Sequence, residues 1–380
     1  MSVAFARTDN SRLAMWWWSI DRWTLAAIMV LVLCGALLTL AASPAVADRI
    51  GLTEFHFVRR QMVFLPLAVL VMLWVSFQDV RMVRRLALAM FGVGIIMMAL
   101  TLLTGAEVKG ATRWLRVGPF SVQPSEFVKP GFAVLAAWLF AEARRNDRFP
   151  GRLLATGLLG LTAGLLLLQP DVGMTLVVGA IWAVQFFLGG MPVIMLIGLV
   201  AVALGAAVGA YMTFDHVKVR VDRFLDPATG EGYQVDRAIE AFQSGGLFGR
   251  GPGEGRVKEV LPDAHADFIF AVAGEEYGLI VCLIIVSLFA AIVLRGFARA
   301  FETDDLFRLI AVAGLMVQFA LQAIINLAST LNLIPPKGMT LPFISYGGSS
   351  TLALALGMGM VLALTRTRSG PGSAGRAGAS

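Results

Sequence analysis

The sequence predicts an all-α integral membrane protein of about ten transmembrane helices, with a large extracytoplasmic loop between the seventh and the eighth. Two observations predict it. Of the 380 residues, 58% are hydrophobic and 15% are charged, and the mean hydropathy is +0.77. Soluble domains carry about 25% charged residues, and a soluble fold of this length cannot hide so much apolar surface. Several apolar runs also reach about 20 residues, the length of helix that crosses about 30 Å of hydrocarbon.

The runs fall near 23–42, 61–77, 86–104, 126–143, 153–168, 172–188, 191–214, 268–294, 306–327 and 349–364. Only Gln169-Pro170-Asp171 separates the fifth from the sixth, and only Gly189-Gly190 the sixth from the seventh, so each pair is a tight helical hairpin. Ala45-Val46-Ala47 mimics a signal cleavage site. The apolar run before it is longer than the h-region of a signal peptide and more spans follow, so the first run reads as a retained anchor.

Basic residues set the orientation. Sixteen lie in segments on one side, among them Arg81, Arg84, Arg85, Arg144, Arg145 and Arg148, against seven in the short loops opposite. Both termini are therefore expected in the cytoplasm, and the long loop 215–266 outside. Residues 1–22 form a cytoplasmic N-terminal segment and 23–367 the membrane domain. The Gly/Ser/Ala-rich tail 368–380 is expected to be disordered. The net charge of +6 comes without a basic run or stacking aromatics, so it reads as helix flanks and not as a nucleic-acid surface. Cys34 and Cys282 sit inside apolar runs, where a thiol behaves as a small hydrophobe.

Within the long loop, Val235, Ile239 and Phe242 are spaced for one face of a short amphipathic helix, lying on the membrane surface or packed on the bundle. Next, Gly245–Arg256 is glycine-rich. It is either a plain flexible loop or a set of N–H groups that cradles phosphate, aided by Arg250. His265-Ala266-Asp267 then leads into the eighth run. There Asp267 is either a helix-capping acid or a general base within reach of a substrate hydroxyl. Glu275 and Glu276 lie inside that run, where a carboxyl faces the bundle interior or a wet cavity. On a regular helix Glu275 stands about 80° from Asp267 and is the candidate to share its cavity.

A second cluster holds Lys109, Arg113, Trp114 and Arg116, then Gln123-Pro124-Ser125-Glu126 and Lys129. Lys129 either snorkels to the interface or joins Arg113 in holding a pyrophosphate. Asp171 follows the hairpin turn as a helix cap or site acid. Finally, Pro335–Ser350, with Lys337, Ser345 and Ser349, is irregular where a membrane run is expected. It reads as a re-entrant or broken segment that lines a cavity.

In this order the motifs resemble the SEDS family (shape, elongation, division and sporulation): Lys109-Gly-Ala-Thr-Arg113-Trp114, Gln123-Pro-Ser-Glu126, Gln169-Pro-Asp171, Gly245-Gly-Leu-Phe-Gly249, His265-Ala-Asp267-Phe, Gly274-Glu275-Glu276 and Pro342-Phe-Ile-Ser345-Tyr-Gly-Gly-Ser349-Ser. The tryptophan-rich start and Leu261-Pro-Asp-Ala-His265 look more like its division branch than its elongation branch. The resemblance implies a peptidoglycan glycosyltransferase of the inner membrane that polymerises lipid II at the septum, releasing undecaprenyl pyrophosphate. A class B penicillin-binding transpeptidase of the FtsI type and other divisome proteins are the implied partners. It makes Asp267 the catalytic carboxylate. Arg113, Glu126 and Lys129, with Arg250 and Lys337, would hold substrate and pyrophosphate, and His265, Glu275, Asp171, Ser345 and Ser349 would support them. Mg²⁺ or Mn²⁺ stays open, because no metal cage is visible in the sequence. Ala266 and Pro336 depart from the common Thr and Thr or Val without removing a charge. The alternatives are an elongation polymerase, a lipid II flippase and a non-catalytic divisome scaffold.

Overall fold

A computed structural model describes residues 11–108, 111–118, 120–213, 218, 222, 233–335 and 337–367. The expectations placed on Lys109, on most of 214–232, on Pro336 and on the tail from 368 lie outside these residues. The apolar runs form long helices: α2 (Arg22–Arg49), α3 (His56–Ser76), α4 (Val80–Thr104), α5 (Pro124–Arg145), α6 (Gly151–Leu168), α7 (Val172–Leu188) and α8 (Val193–Thr213). After the long loop come α11 (Ile269–Phe301), α12 (Leu306–Thr330) and α13 (Gly348–Leu364). Six of them are long and apolar enough to cross a membrane by themselves. Aspartates mark several starts: Asp21, Asp79, Asp171 and Asp305 each accept a first-turn N–H of the helix that follows, the usual remedy for orphan donors.

The centre of the bundle is α5 with α12. Both are buried on almost every face, as a helix at the middle of a bundle must be. Glycine permits the closest approach. A Cβ on Gly131 of α5 would stand 2.9 Å from Phe91 N and 3.0 Å from Ala87 O of α4, the small-residue contact typical of membrane helices.

Three elements were not expected. Strands β1 (Ala106–Val108), β2 (Ala111–Val117) and β3 (Phe120–Val122) form a three-stranded antiparallel sheet, which bridges α4 to α5 at one end of the bundle. At the opposite end, a short helix α1 (Arg12–Ser19) precedes α2. Its Trp16 indole bonds Ser76 Oγ at 3.0 Å and stacks on Phe77, and the N–H of Thr367 donates to Ser19 O at 3.1 Å. The third is a break in α11.

Gly278 in α11 has φ 77° and ψ −179°, which interrupts the helix. In an unbroken helix the N–H groups of Leu279 and Ile280 would bond the carbonyls of Glu275 and Glu276. Here the glycine-rich loop inserts between them. Arg250 N and Gly251 N donate to Glu275 O and Glu276 O at 2.9 and 3.0 Å, while Leu279 N and Ile280 N donate to Gly246 O and Leu247 O at 2.9 and 3.3 Å. Four groups freed by the break are thus paired by one loop, as buried irregular backbone requires.

The amphipathic segment also resolves. Helix α9 (Tyr233–Gly245) buries Val235, Ala238 and Ala241, and its Phe242 meets Phe270 edge-on at 5.7 Å. It packs on α11. A turn of helix, α10 (Val257–Val260), follows the glycine loop.

Gly278→Ala tests the break. The added Cβ would collide with Gly249 N and Leu247 O at a positive φ, so we expect a loss of about 2–6 kcal/mol from backbone strain and overpacking together. Gly253→Ala, also at positive φ but with nothing within 4 Å, should cost about 1 kcal/mol. Thermal unfolding of the solubilised protein reads both, and equal losses would contradict the inserted-loop account.

Candidate active site

The site is built at the end of the bundle that carries the sheet. A strap, 263–268, precedes α11 and turns tightly: Ala266 N and Phe268 N both donate to Asp263 O, at 3.0 and 3.3 Å. The N-cap of α11 is Phe268, so Asp267 stands one residue outside the helix and is not its cap. It is half-buried.

Two neighbouring elements hold the strap. The irregular segment 337–347, running between α12 and α13, contributes Ser345, whose hydroxyl donates to Ala266 O at 2.6 Å and accepts from Leu341 N at 2.8 Å. The next residue, Tyr346, donates its N–H to His265 O at 3.0 Å. From α12, Asn326 Nδ2 donates to Asp267 O at 2.9 Å and to Met339 O at 2.6 Å. Thr330 Oγ1 lies 3.5 Å from the same Asp267 carbonyl. The carboxylate rests against Gly338, where φ is 63° and a Cβ would be 3.4 Å from Asp267 Oδ2. A Cβ there would stand in van der Waals contact with the acid, at a backbone φ that side chains rarely adopt.

Lys337 precedes Gly338, and its side chain lies beside the start of α7. Its Nζ is 3.3 Å from where a Cβ on Gly173 would be, at the helix start that Asp171 caps through Met174 N at 3.1 Å. Arg113 on β2 pairs with Asp171 at 3.3 Å and donates to Gln169 O and Pro170 O at 3.4 and 2.8 Å. It clips the sheet to the α6–α7 turn while 27% of its side chain stays exposed. The site thus brings together Asp267 beside Gly338, Lys337 beside Gly173 at the start of α7, and Arg113 paired with Asp171 at the same turn.

Glu126 and Lys129 lie a turn deeper. They pair at 2.9 Å with 5% and 1% of their side chains exposed, so Lys129 does not snorkel. Its ammonium also donates to Gln322 Oε1 at 3.0 Å, and Gln322 Nε2 reaches Thr340 and Ser350 at 2.9–3.2 Å. Lys129 therefore braces the irregular segment from behind. Ser349 Oγ accepts from Gln123 N at 3.2 Å and lies 3.4 Å from Ser121 O, which joins α13 to the start of α5.

Two expected site residues, Glu275 and Arg250, are engaged elsewhere. Glu275 does not share the cavity of Asp267. Its carboxylate accepts the N–H groups of Arg256, Val257 and Lys258 at 2.7, 2.8 and 3.1 Å and so caps α10, while Glu276 pairs with Lys258. Arg250 spends its Nε on Ser244 O at 3.3 Å, at the end of α9, and its backbone N–H and that of Gly251 are taken by the carbonyls of the broken helix. His265 supports the strap by stacking on Phe57, ring centres 4.0 Å apart. Burial pushes its imidazole down to about 4 from 6.5, with Asp263 opposing the shift and Arg49 adding to it. Gln322, Asn326 and Thr330 went unnoticed in the sequence, although a polar residue every fourth position on an apolar run is a visible signal. Among the described residues no three His, Cys, Asp or Glu gather as metal ligands. Mg²⁺ commonly takes one or two carboxylates plus substrate phosphates, and Asp267 offers one.

A polytopic helical bundle with an acid and several cations at one end defines a class: membrane enzymes that work at the bilayer surface. The chain belongs to the cell cycle protein family of FtsW, RodA and SpoVE, whose model matches residues 22–370. It is 48% identical over 352 residues to the probable peptidoglycan glycosyltransferase FtsW of Caulobacter vibrioides, covering 92% of this chain and 90% of that one. It is 35% identical to the protein of the same description from Trichlorobacter lovleyi, covering 86% and 88%. Among solved structures it is similar to a chain of a peptidoglycan synthase complex that coordinates polymerization and crosslinking, with TM-score 0.75, 28% identity and coverage of 91% and 97%. It also resembles the rod shape determining protein RodA of Thermus thermophilus, with TM-score 0.68, 29% identity and coverage of 92% and 97%.

Two outcomes follow from the buried polar groups. His265 stays neutral in the folded protein down to about pH 4 but charges near 6.5 when unfolded, so its contribution is present above pH 6.5 and is lost as pH falls toward 4. His265→Phe keeps the stack and should flatten the pH dependence of the melting temperature in that window; an unchanged slope would refute the assignment. Lys129→Met leaves Glu126 buried and unpaired and should cost about 3–5 kcal/mol. Lys129→Met/Glu126→Leu should regain much of that in thermal unfolding, and a double variant no more stable than the single would count against the pair.

Proposed function

We propose that the protein is a peptidoglycan glycosyltransferase that polymerises lipid II into β-1,4 glycan strands for the division septum, on the outer face of the inner membrane. The observation that carries this reading is Asp267: a half-buried carboxylate on a strap tied down from two neighbouring elements. It lies against Gly338, next in the chain to Lys337. The surplus of basic residues at the other end supports an outward-facing site. Lipid substrates keep their tails in hydrocarbon, which suits an acid placed at the end of a bundle.

The acceptor is a lipid II whose sugar 4-hydroxyl gives its proton to Asp267 while its oxygen attacks the anomeric carbon of the donor glycan. The bond from that carbon to the pyrophosphate oxygen breaks, the electron pair leaves with the undecaprenyl pyrophosphate, and the configuration inverts from α to β. Arg113, with its exposed edge, and Lys337 supply positive charge toward the leaving group, a kind of stabilisation worth about 3–4 kcal/mol per well-placed donor. Lys129 and Glu126 act from behind, through Gln322, on the segment that carries Lys337. A class B penicillin-binding transpeptidase that crosslinks the new strands is the proposed partner.

Asp267→Asn keeps size and polarity but cannot take a proton. With purified protein, its transpeptidase and labelled lipid II, glycan product should fall by about 10²–10⁴-fold with melting temperature unchanged. Full polymerisation by this variant would remove Asp267 as the base, and movement of lipid without polymer would point to a flippase instead.

A further inference from the structure

Asn326 is 2% exposed and sits in the middle of α12's polar stripe. Its amide nitrogen has two hydrogens and both are used, one on the carbonyl of Asp267 and one on the carbonyl of Met339. Those carbonyls belong to the two irregular segments of the site, the strap and the 337–347 segment. Elsewhere Ser345 and Tyr346 tie these segments together farther along, but Asn326 grips them at the acid itself and one residue beyond Gly338. A primary amide nitrogen can donate to two carbonyls at once, whereas a hydroxyl donates to one. Thr330 Oγ1, bonded to Asn326 O at 2.9 Å, stands by the Asp267 carbonyl as well.

We infer that Asn326 is a positioning residue for the transfer reaction: its single nitrogen fixes the separation between the Asp267 base and the Lys337–Gly338 corner that bears the leaving-group cation. This rests on the reading of Asp267 as the base. Fixing the Asp267 carbonyl fixes its Cα, and fixing Met339 fixes the glycine surface on which the carboxylate lies, 3.4 Å from the nearest point a Cβ would occupy. Without the bridge the two segments keep their outer ties but lose register at the reacting atoms. Binding of the lipid-borne sugar draws on other contacts, so the loss falls on turnover. A displacement of about 1 Å at a reacting group costs on the order of 100-fold in rate.

The test uses the full-length protein with its transpeptidase, labelled lipid II as the probe, and three variants: Asn326→Leu, which removes both donors at similar volume, Asn326→Ser, which retains one donor on a shorter arm, and Asp267→Asn. The expected result is a fall in kcat of about 100-fold for Asn326→Leu, a smaller fall for Asn326→Ser, and a KM for lipid II within twofold of wild type in both. If Asn326→Leu does not accumulate as folded protein, Asn326→Ser is read by the same criterion. A folded variant with kcat within twofold of wild type overturns the inference, and so does one whose loss lies in KM. An inactive Asp267→Asn beside an undiminished Asn326 variant removes the inference alone; a fully active Asp267→Asn removes the base reading and the inference with it.

Discussion

Irregular backbone inside a membrane bundle must find all its hydrogen-bond partners within the protein, and everything at the active end follows from that constraint. The strap 263–268 and the segment 337–347 have no helical ladder of their own. Their carbonyls and N–H groups are met instead by Ser345, Tyr346, Asn326 and Gln322. The donors that satisfy the backbone are the same groups that place Asp267 beside Gly338. Stability and site geometry are one set of bonds, which is why a polar stripe runs through the buried helix α12.

The same rule explains the glycine-rich loop. A break at Gly278 would strand four peptide groups, and the glycine-rich turn supplies partners for them. Glycine is needed where that turn meets the broken helix, because Gly249 and Gly278 approach backbone to backbone. The buried acids beside the break are likewise settled locally, Glu275 by the start of α10 and Glu276 by Lys258. Charges that looked like chemistry in the sequence turn out to fasten a joint.

Much of the fold was legible. Runs of apolar residues mark every long helix, because hydrocarbon demands length, but polar helix ends that carry no apolar signal, as at 80–85 and 295–301, fall outside the runs. The sheet was not, since its strands are short and its pattern, Thr112-Arg113-Trp114-Leu115, shows no clean alternation. At the site, Asp267, Arg113, Asp171 and Lys337 were named from sequence, and the fold pairs Arg113 with Asp171 and sets Asp267 beside Gly338. Glu275 was misplaced because the angular argument assumed one continuous helix from Asp267, whereas the helix begins at Ile269. Arg250 was misplaced because nothing local reveals that its loop has a partner some 30 residues later. Asn326 was overlooked because its two acceptors are main-chain carbonyls, which a side-chain motif does not display.

The meeting of Thr367 with Ser19 has a consequence for how the bundle comes apart. Chain ends in most proteins fray first, and independently. Here the beginning and the end of the membrane domain are fastened to each other and, through Trp16 and Arg366, to the corner between α3 and α4. Neither end can peel off without loosening the other, so unravelling at that face is a joint event, and the α1 end shares the protection of the buried helix α13.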